Sequence, residues 1–245
     1  MIARAFREIG DPRIPCVVFA RGVGNSQTQD ESEYARERSL LLSALTEASR
    51  RTVPLVYFSG SPIYGNFSEI VTETTPCRPV TRYGRHQAEC EELIRSSRTL
   101  FLIARLPNVV GAPGNPQQLV ASLVRQTLAG HVTVQSSATR DLIDVDDVVR
   151  LVLRLVDMGA MNETINVASG YSTPAAKIAE TVAQLLGAKP HLVEVDGGDM
   201  QRFDVSRLTS IIGSLPCDGH YPMNTLARYV PRIATSMGLP KSTML

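Results

Sequence analysis

A tyrosine and a glutamine lie four residues apart in "RYGRHQAECEELI", residues 82–94. The spacing of the apolar residues in this stretch is typical of an amphipathic helix, on which Tyr83 and Gln87 share one face. A phenol with an ordinary pKa near ~10 is only about a thousandth ionised at neutral pH. Glutamine donates hydrogen bonds but supplies no charge that would lower this pKa. Tyr83 is therefore predicted to act as a proton donor rather than as a general base, with Gln87 beside it.

Three nearby residues could assist such a proton donor. His86 follows Tyr83 by three residues and could titrate near neutral pH as a substitute base, or it could be solvated or packed at a subunit contact. Ser59 and Ser61, in "VYFSGSPIYG", could reach the same site or bond to the local backbone. The sequence leaves both alternatives open.

Composition excludes several classes of protein. The chain has 245 residues, of which 43% are hydrophobic and 20% charged, and its formal net charge is +1. Without blocks of basic residues, neither nucleic acid nor an anionic membrane is an expected partner. No apolar run approaches the ~18 residues of a membrane span. The four cysteines are scattered without metal-ligand spacing, so we expect reduced core thiols, no metal site and a cytoplasmic location.

In the first half of the chain, short apolar runs alternate with longer helical stretches. This alternation predicts a parallel α/β sheet with right-handed crossovers. The strands are predicted at 15–20, 53–60 and 99–107, and the helices at about 2–9, 31–51 and 82–97.

The second half is richer in helices. A turn-rich loop is predicted after Pro107, and Asp144 is expected to cap one helix. Ser172 or Thr173 is expected to cap another helix, with Gly187 just past its end. The helices are predicted at 116–131, 144–159, 172–190 and about 222–237, and a strand at 163–169.

Six motifs in this order resemble the extended short-chain dehydrogenases/reductases, the NAD-dependent epimerase/dehydratase group that acts mostly on nucleotide sugars. They are "VYFSGSPIYG", "RYGRHQAECEELI", "RLPNVVGAPG", "TRDLIDVDDVVR", "INVASG" and "DVSRLTSIIG", and the resemblance extends over nearly the whole chain. The resemblance implies a partial Rossmann-like domain at 1–110 and a smaller substrate-binding lobe at 111–245. A later strand near 164–168 is expected to rejoin the sheet of the first domain.

The family begins with three strands and a glycine-rich turn, whereas this chain begins in the helix before the family's fourth strand. The expected fold is therefore a Rossmann-like parallel sheet that lacks its first three strands. Strand 15–20 would then lie at an edge, and a long apolar edge must be covered. We expect helix 2–9, a swapped segment or a partner subunit to cover it.

Three further departures affect the family's cofactor site. Gln87 stands where the family has its catalytic lysine, Gly60 where it has a hydroxyl, and Arg38 where it has an asparagine. Arg38 could fill the vacated volume with positive charge or form a surface salt bridge. Together with the missing glycine-rich turn, these departures lead us to expect no cofactor, with NAD or NADP bound only under an alternative hypothesis.

The family's substrate landmarks are better preserved. Asn108 matches a position that contacts substrate in the family, and Arg140 matches an arginine that often pairs with a nucleotide diphosphate. Arg140 could equally pair with Asp141 or Asp144. Asp196 stands where the family often has a second phosphate-binding arginine, and a carboxylate there would repel a diphosphate.

Three functions are compatible with these features. The favoured one is cofactor-independent acid–base chemistry on a small metabolite, such as isomerisation, dehydration or cyclisation, in a biosynthetic pathway. The second is an NAD(P)-dependent nucleotide-sugar epimerase, dehydratase or ketoreductase whose cofactor half is missing or supplied in trans. The third is a catalytically silent paralogue that dimerises with an active enzyme. The resemblance also implies a homodimer through the helices at 31–49 and 83–97.

Overall fold

Helices and strands alternate along most of the chain, and the computed structural model describes residues 1–112 and 115–238. The helices are α1 (Ile2–Ile9), α2 (Glu31–Arg51), α3 (Arg82–Arg95), α4 (Leu119–Leu128), α5 (Val145–Asp157), α6 (Ala175–Leu185), α7 (Ser206–Ile212) and α8 (Tyr221–Ser236). The strands are β1 (Val17–Phe19), β2 (Leu55–Gly60), β3 (Ile70–Val71), β4 (Phe101–Leu106), β5 (Asn108–Val110), β6 (His131–Gln135), β7 (Thr139–Asp144), β8 (Glu163–Asn166), β9 (Ser172–Pro174), β10 (His191–Val195) and β11 (Arg202–Phe203).

The main sheet of the described chain has four parallel strands in the order β1-β2-β4-β8. Every residue of β4 is buried, as expected for a strand covered on both faces. One face packs against α2 and α3, and the other against α1, α5 and α7. The predicted parallel α/β architecture is confirmed, and β8 lies beside β4 in the main sheet.

The N-terminal helix α1 has the predicted bounds, Ile2–Ile9. Its apolar residues pack on the α5 face of the sheet, where the rings of Phe6 and Phe58 lie 5.8 Å apart. The helix therefore covers a face of the sheet. Within residues 1–112 and 115–238, β1 pairs with β2 alone.

The second half forms a layer of helices and short sheets beside the main sheet. Helices α4, α6 and α8 share one core with β6 and β7. The predicted loop after Pro107 instead begins with a strand, β5, which pairs with β7. Its residues 113 and 114 lie outside the described residues.

The predicted capping of two helices has different outcomes. Asp144 caps α5 as expected, because its carboxylate accepts a hydrogen bond of 2.8 Å from the backbone N–H of Asp146. The prediction that Ser172 or Thr173 caps α6 is wrong. Both residues lie in β9, which pairs antiparallel with β7, and the Ser172 hydroxyl donates to Gln201 O. The strand hydrogen bonds therefore override the capping tendency of these hydroxyls.

A buried ion pair lies under the loop that follows β2. Arg105 donates to the Glu91 carboxylate at 2.7 Å and to the Tyr64 hydroxyl at 3.0 Å, and the Tyr64 hydroxyl donates to Asn166. Arg105, Glu91 and Tyr64 are all nearly inaccessible to solvent. The network connects α3, β4 and the loop. Because Arg105 and Glu91 pair with each other, neither charge is left unpaired in the apolar core.

No helix in the described part of the chain has the length and apolar character needed to cross a membrane.

Candidate active site

A cavity of about 470 Å³ opens where the strands of the main sheet end. Its walls are the loop after β1 (20–26), the end of β2 with the loop that follows it (57–62), one face of α3, and residues 106–110. The carboxyl ends of parallel strands are the usual ligand site of such sheets, because neighbouring loops diverge there. The side chains that line this cavity are therefore the candidates for ligand binding and catalysis.

Tyr83 and Gln87 lie together on the cavity wall, as their spacing on α3 predicts. Gln87 Nε2 donates a hydrogen bond of 2.9 Å to the Tyr83 hydroxyl oxygen. Because that oxygen accepts from Gln87, the phenol hydrogen is left free to be donated elsewhere. The second amide atom, Gln87 Oε1, is buried and has no hydrogen-bond partner among residues 1–112 and 115–238.

Gly60 shapes the position of the Gln87 amide. A Cβ atom at residue 60 would lie 3.3 Å from Gln87 Oε1 and 3.3 Å from Cδ of Pro62. The backbone of Gly60 is extended, with φ at −149°, so the residue is not needed for an unusual conformation. Its role is to leave room for the side chain of Gln87.

The surroundings of Tyr83 keep its phenol protonated. Burial raises the pKa of Tyr83 above its ordinary value, and the negative charge of Glu37 raises it further. The hydrogen bond from Gln87 opposes these effects without cancelling them. At neutral pH the tyrosine is therefore an acid and not a phenolate base.

Ser59, Ser61 and Asn108 line the same cavity as Tyr83. Ser59 is only 3% exposed, whereas Ser61 is half-buried. The amide of Asn108 donates to Gln201 Oε1 at 2.9 Å and to the carbonyl of Asp141 at 3.2 Å. Asn108 thus links the cavity wall to β7 and to the segment before β11.

The structure places His86 and Arg38 away from the cavity wall. His86 is 2% exposed and lies between α2 and α3, with its Nε2 3.4 Å from the Glu37 carboxylate. Arg38 is exposed on the outer surface of α2. The neighbouring residue Glu37 lines the cavity instead, and its carboxylate accepts a hydrogen bond of 2.7 Å from the Val23 backbone N–H.

Glu37 is the main residue of the site that sequence reasoning missed. The periodicity of α2 could have identified it. The buried positions of this helix are Tyr34, Glu37, Leu41, Leu45 and Ala48. These positions follow the three-and-four spacing of one helical face. An acid on that face must be buried, whereas Arg38 falls outside it.

Arg140 lies at a separate cavity of about 280 Å³. It pairs with Asp199 at 2.9 Å, and not with Asp141 or Asp144, the pairing that the sequence left open as an alternative. Its guanidinium also donates to the carbonyls of Thr139 and Asp199, so it fastens the segment before β11 to β7. Asp196 is exposed on a turn and lines neither of these two cavities.

The fold and the cavity define a Rossmann-like α/β protein with a ligand site at the ends of its parallel strands. Residues 3–168 match the model of the NAD dependent epimerase/dehydratase family, which is more than half of the chain. The protein therefore belongs to the NAD dependent epimerase/dehydratase family. This confirms the resemblance inferred from the six motifs.

Individual relatives are distant. GDP-6-deoxy-D-talose 4-dehydrogenase of Aggregatibacter actinomycetemcomitans is 23% identical over 186 residues, which are 71% of this chain and 63% of that protein. The first curated relatives are covered over only 40% to 64% of their own length.

Two solved structures share the fold. UDP-N-acetylglucosamine 4-epimerase from Methanobrevibacter ruminantium M1 has a TM-score of 0.77 and 17% identity, over 91% of this chain and 77% of that chain. The dTDP-glucose 4,6-dehydratase from Bacillus anthracis str. Ames, in complex with NAD, has a TM-score of 0.76 and 17% identity, over 96% of this chain and 76% of that chain. At these identities the likeness shows the fold alone.

The expectation that no cofactor is used is wrong, because the family is NAD dependent and the similar Bacillus anthracis structure contains NAD. The residues around Tyr83 fit one end of such a cofactor. Gln87 Oε1 is a buried acceptor without a partner in the described chain, and a ribose hydroxyl is a suitable donor for it. By contrast, the start of α2 carries Glu31 and Glu33, so this helix N-terminus does not suit a pyrophosphate.

Proposed function

We propose that this chain forms the nicotinamide and substrate end of an NAD(P)-dependent enzyme that reduces the carbonyl group of a sugar-type substrate. The observation that carries the proposal is the hydrogen bond from Gln87 to the Tyr83 hydroxyl at the cavity wall, where burial raises the pKa of the phenol. A bound nicotinamide cofactor would supply the hydride. Tyr83 donates the proton that the substrate oxygen needs as the carbonyl becomes a hydroxyl.

The polar residues around Tyr83 have distinct roles in this proposal. Gln87 orients the Tyr83 hydroxyl through Nε2 and offers Oε1 to a ribose hydroxyl. Ser59 and Ser61 bind the substrate oxygen from the end of β2. Asn108 holds the opposite wall in place through its bond to Gln201.

The pKa of Tyr83 favours reduction over alcohol oxidation at neutral pH. Reduction uses the neutral phenol. Even with the ordinary pKa of about 10, nearly all of the tyrosine is neutral below about pH 9. Oxidation uses the phenolate, whose fraction rises about tenfold per pH unit in the same range. In family members a lysine at the position of Gln87 lowers this pKa, and here no charge at residue 87 does so. The chain is therefore suited to work as a reductase.

The substrate class follows from the uncharged polar residues of the wall and from the relatives. Ser59, Ser61, Asn115 and Gln118 line the cavity, and such groups bind sugar hydroxyls. The relatives named above act on nucleotide sugars according to their names. We therefore propose a keto sugar carried on a nucleotide as the substrate.

The test is to follow NADH and NADPH consumption by the purified protein with a panel of 4-keto nucleotide sugars. We expect consumption with at least one of them, at a rate that stays constant from about pH 6 to about pH 9. The reverse oxidation should rise with pH over the same range. Absence of turnover with the whole panel and both cofactors, or a reduction rate that falls above about pH 7, would contradict the proposal.

A further inference from the structure

Three metal-ligating side chains converge in the core between α2 and α3. His86 Nε2 lies 3.4 Å from the Glu37 carboxylate oxygen and 3.5 Å from the Cys90 sulfur. The three ligand atoms all lie within 4.8 Å of one another, and each residue is at most 6% exposed. The cluster lies beside the main cavity, because Glu37 also lines that cavity.

Both contacts of His86 use the same ring nitrogen. An imidazole nitrogen has either one hydrogen or one lone pair, so Nε2 cannot make a full hydrogen bond to Glu37 and to Cys90 at once. A small cation at the centre of the three atoms would satisfy all of them. In a tetrahedral zinc site, bonds of about 2.0 to 2.3 Å place the nitrogen about 3.4 Å from the oxygen ligand and about 3.5 Å from the sulfur ligand. The two observed separations match those edges, and the third, between the ligand atoms of Glu37 and Cys90, is at most 4.8 Å.

We propose that Glu37, His86 and Cys90 bind one divalent transition-metal ion of the zinc class. A thiolate and an imidazole select such an ion over magnesium or calcium, which prefer oxygen ligands. Binding releases the Cys90 proton to solvent, so that two anionic ligands balance the charge of the ion. Three protein ligands leave the fourth position of the tetrahedron to water or to a ligand from the cavity.

Neighbouring groups hold these ligands in place. The Val23 backbone N–H donates to the Glu37 carboxylate at 2.7 Å, and the Tyr34 ring lies 4.9 Å from the His86 ring. His86 and Cys90 are four residues apart on α3 and so share one helical face, whereas Glu37 comes from α2. The three ligands are therefore irregularly spaced in the sequence, and a search for Cys and His motifs does not identify this site.

The experiment is a Co²⁺ titration of protein first treated with a chelator and then dialysed. We expect binding of one ion per chain, with an absorption band of a cobalt–thiolate bond and the visible bands of a tetrahedral site. Cys90→Ser should remove the thiolate band and weaken binding by at least about tenfold. Cys77→Ser, at an exposed cysteine outside the cluster, should leave both unchanged.

Zn²⁺ provides a second measurement that does not depend on absorption. It should raise the thermal midpoint of the wild type and of Cys77→Ser, but not that of Glu37→Gln. The proposal is overturned if folded wild-type protein binds neither ion in a one-to-one ratio, or if Cys90→Ser binds Co²⁺ as the wild type does. Neither measurement requires turnover, so a failure of metal binding and a failure of the proposed reductase activity are observed separately.

Discussion

The side chain of Gln87 donates a hydrogen bond of 2.9 Å to the hydroxyl of Tyr83, which lies one helical turn earlier on α3. In related enzymes a lysine at this position supplies a positive charge to the tyrosine. Here the tyrosine receives the hydrogen bond without the charge, while burial and Glu37 keep its pKa high. The pair is therefore arranged to donate a proton.

Replacing Tyr83 with phenylalanine should remove the proton donor and keep the ring that packs on the cavity wall. We expect kcat to fall by about 10²- to 10⁴-fold, with little change in thermal midpoint, because general acid catalysis is lost while the packing is retained. Tyr171→Phe is the matched control, since Tyr171 is 39% exposed. Turnover of Tyr83→Phe within a factor of two or so of the wild type would exclude the role of Tyr83.

Gly60→Ala should act through Gln87. The added Cβ would lie 3.3 Å from Gln87 Oε1, so the amide must shift and its bond to Tyr83 must weaken. We expect turnover to fall in Gly60→Ala and in Gln87→Ala, and the double variant to be no worse than Gln87→Ala, since both changes break one interaction.

The control for this cycle is Gly219→Ala, where a Cβ would have no atom within 4 Å. It should keep wild-type turnover. If the losses from Gly60→Ala and Gln87→Ala are additive in the double variant, Gly60 does not act by positioning Gln87.

Asp141 should make stability depend on pH. Burial raises its pKa from 3.8 to about 7, although its carboxylate accepts hydrogen bonds from Ser169 and Gly170. Between these pH values the folded chain keeps a proton that the unfolded chain has lost. The free energy of unfolding should therefore fall as pH rises from about 4 to about 7.

Urea denaturation at a series of pH values measures this dependence, and the matched variants are Asp141→Asn and the exposed Asp196→Asn. In Asp141→Asn the part of the fall in unfolding free energy that residue 141 contributes should disappear. In Asp196→Asn the fall should be the same as in the wild type. A steeper or unchanged decline in Asp141→Asn would show that another group is responsible.

We also propose that the chain forms a homodimer through α2 and α3. Leu42 is 46% exposed on α2, and burying it against a second copy would remove apolar surface from water. Leu42→Glu should convert a dimer to a monomer in light scattering at micromolar concentration. Leu128→Glu, at a leucine of α4 that is 41% exposed, should remain dimeric. A monomeric wild type would refute the proposed interface.

Much of the fold could be predicted from the sequence, because local patterns determine it. The predicted helices 2–9 and 31–51 have the observed bounds, and Asp144 caps α5 as expected. Tyr83 and Gln87 meet because helical spacing alone brings them together. In each case the residues that interact are close in the chain.

The remaining features depend on contacts between distant segments. Arg140 pairs with Asp199, which is 59 residues away. Ser172 is drawn into a strand by β7 and Gln201. The expectation about the cofactor was wrong for a different reason: Gln87, Gly60 and Arg38 depart from the family pattern, whereas residues 3–168 as a whole match the family model.

The most direct test of the account is the ionisation of Tyr83 itself. The ¹³Cζ resonance of labelled tyrosine, assigned by its loss in Tyr83→Phe, reports this ionisation without a substrate. The account predicts no titration of Tyr83 in the wild type below about pH 10, and titration at lower pH in Gln87→Lys, where a positive charge is added. A wild-type Tyr83 that titrates below about pH 9 would contradict the claim that Gln87 holds a neutral proton donor.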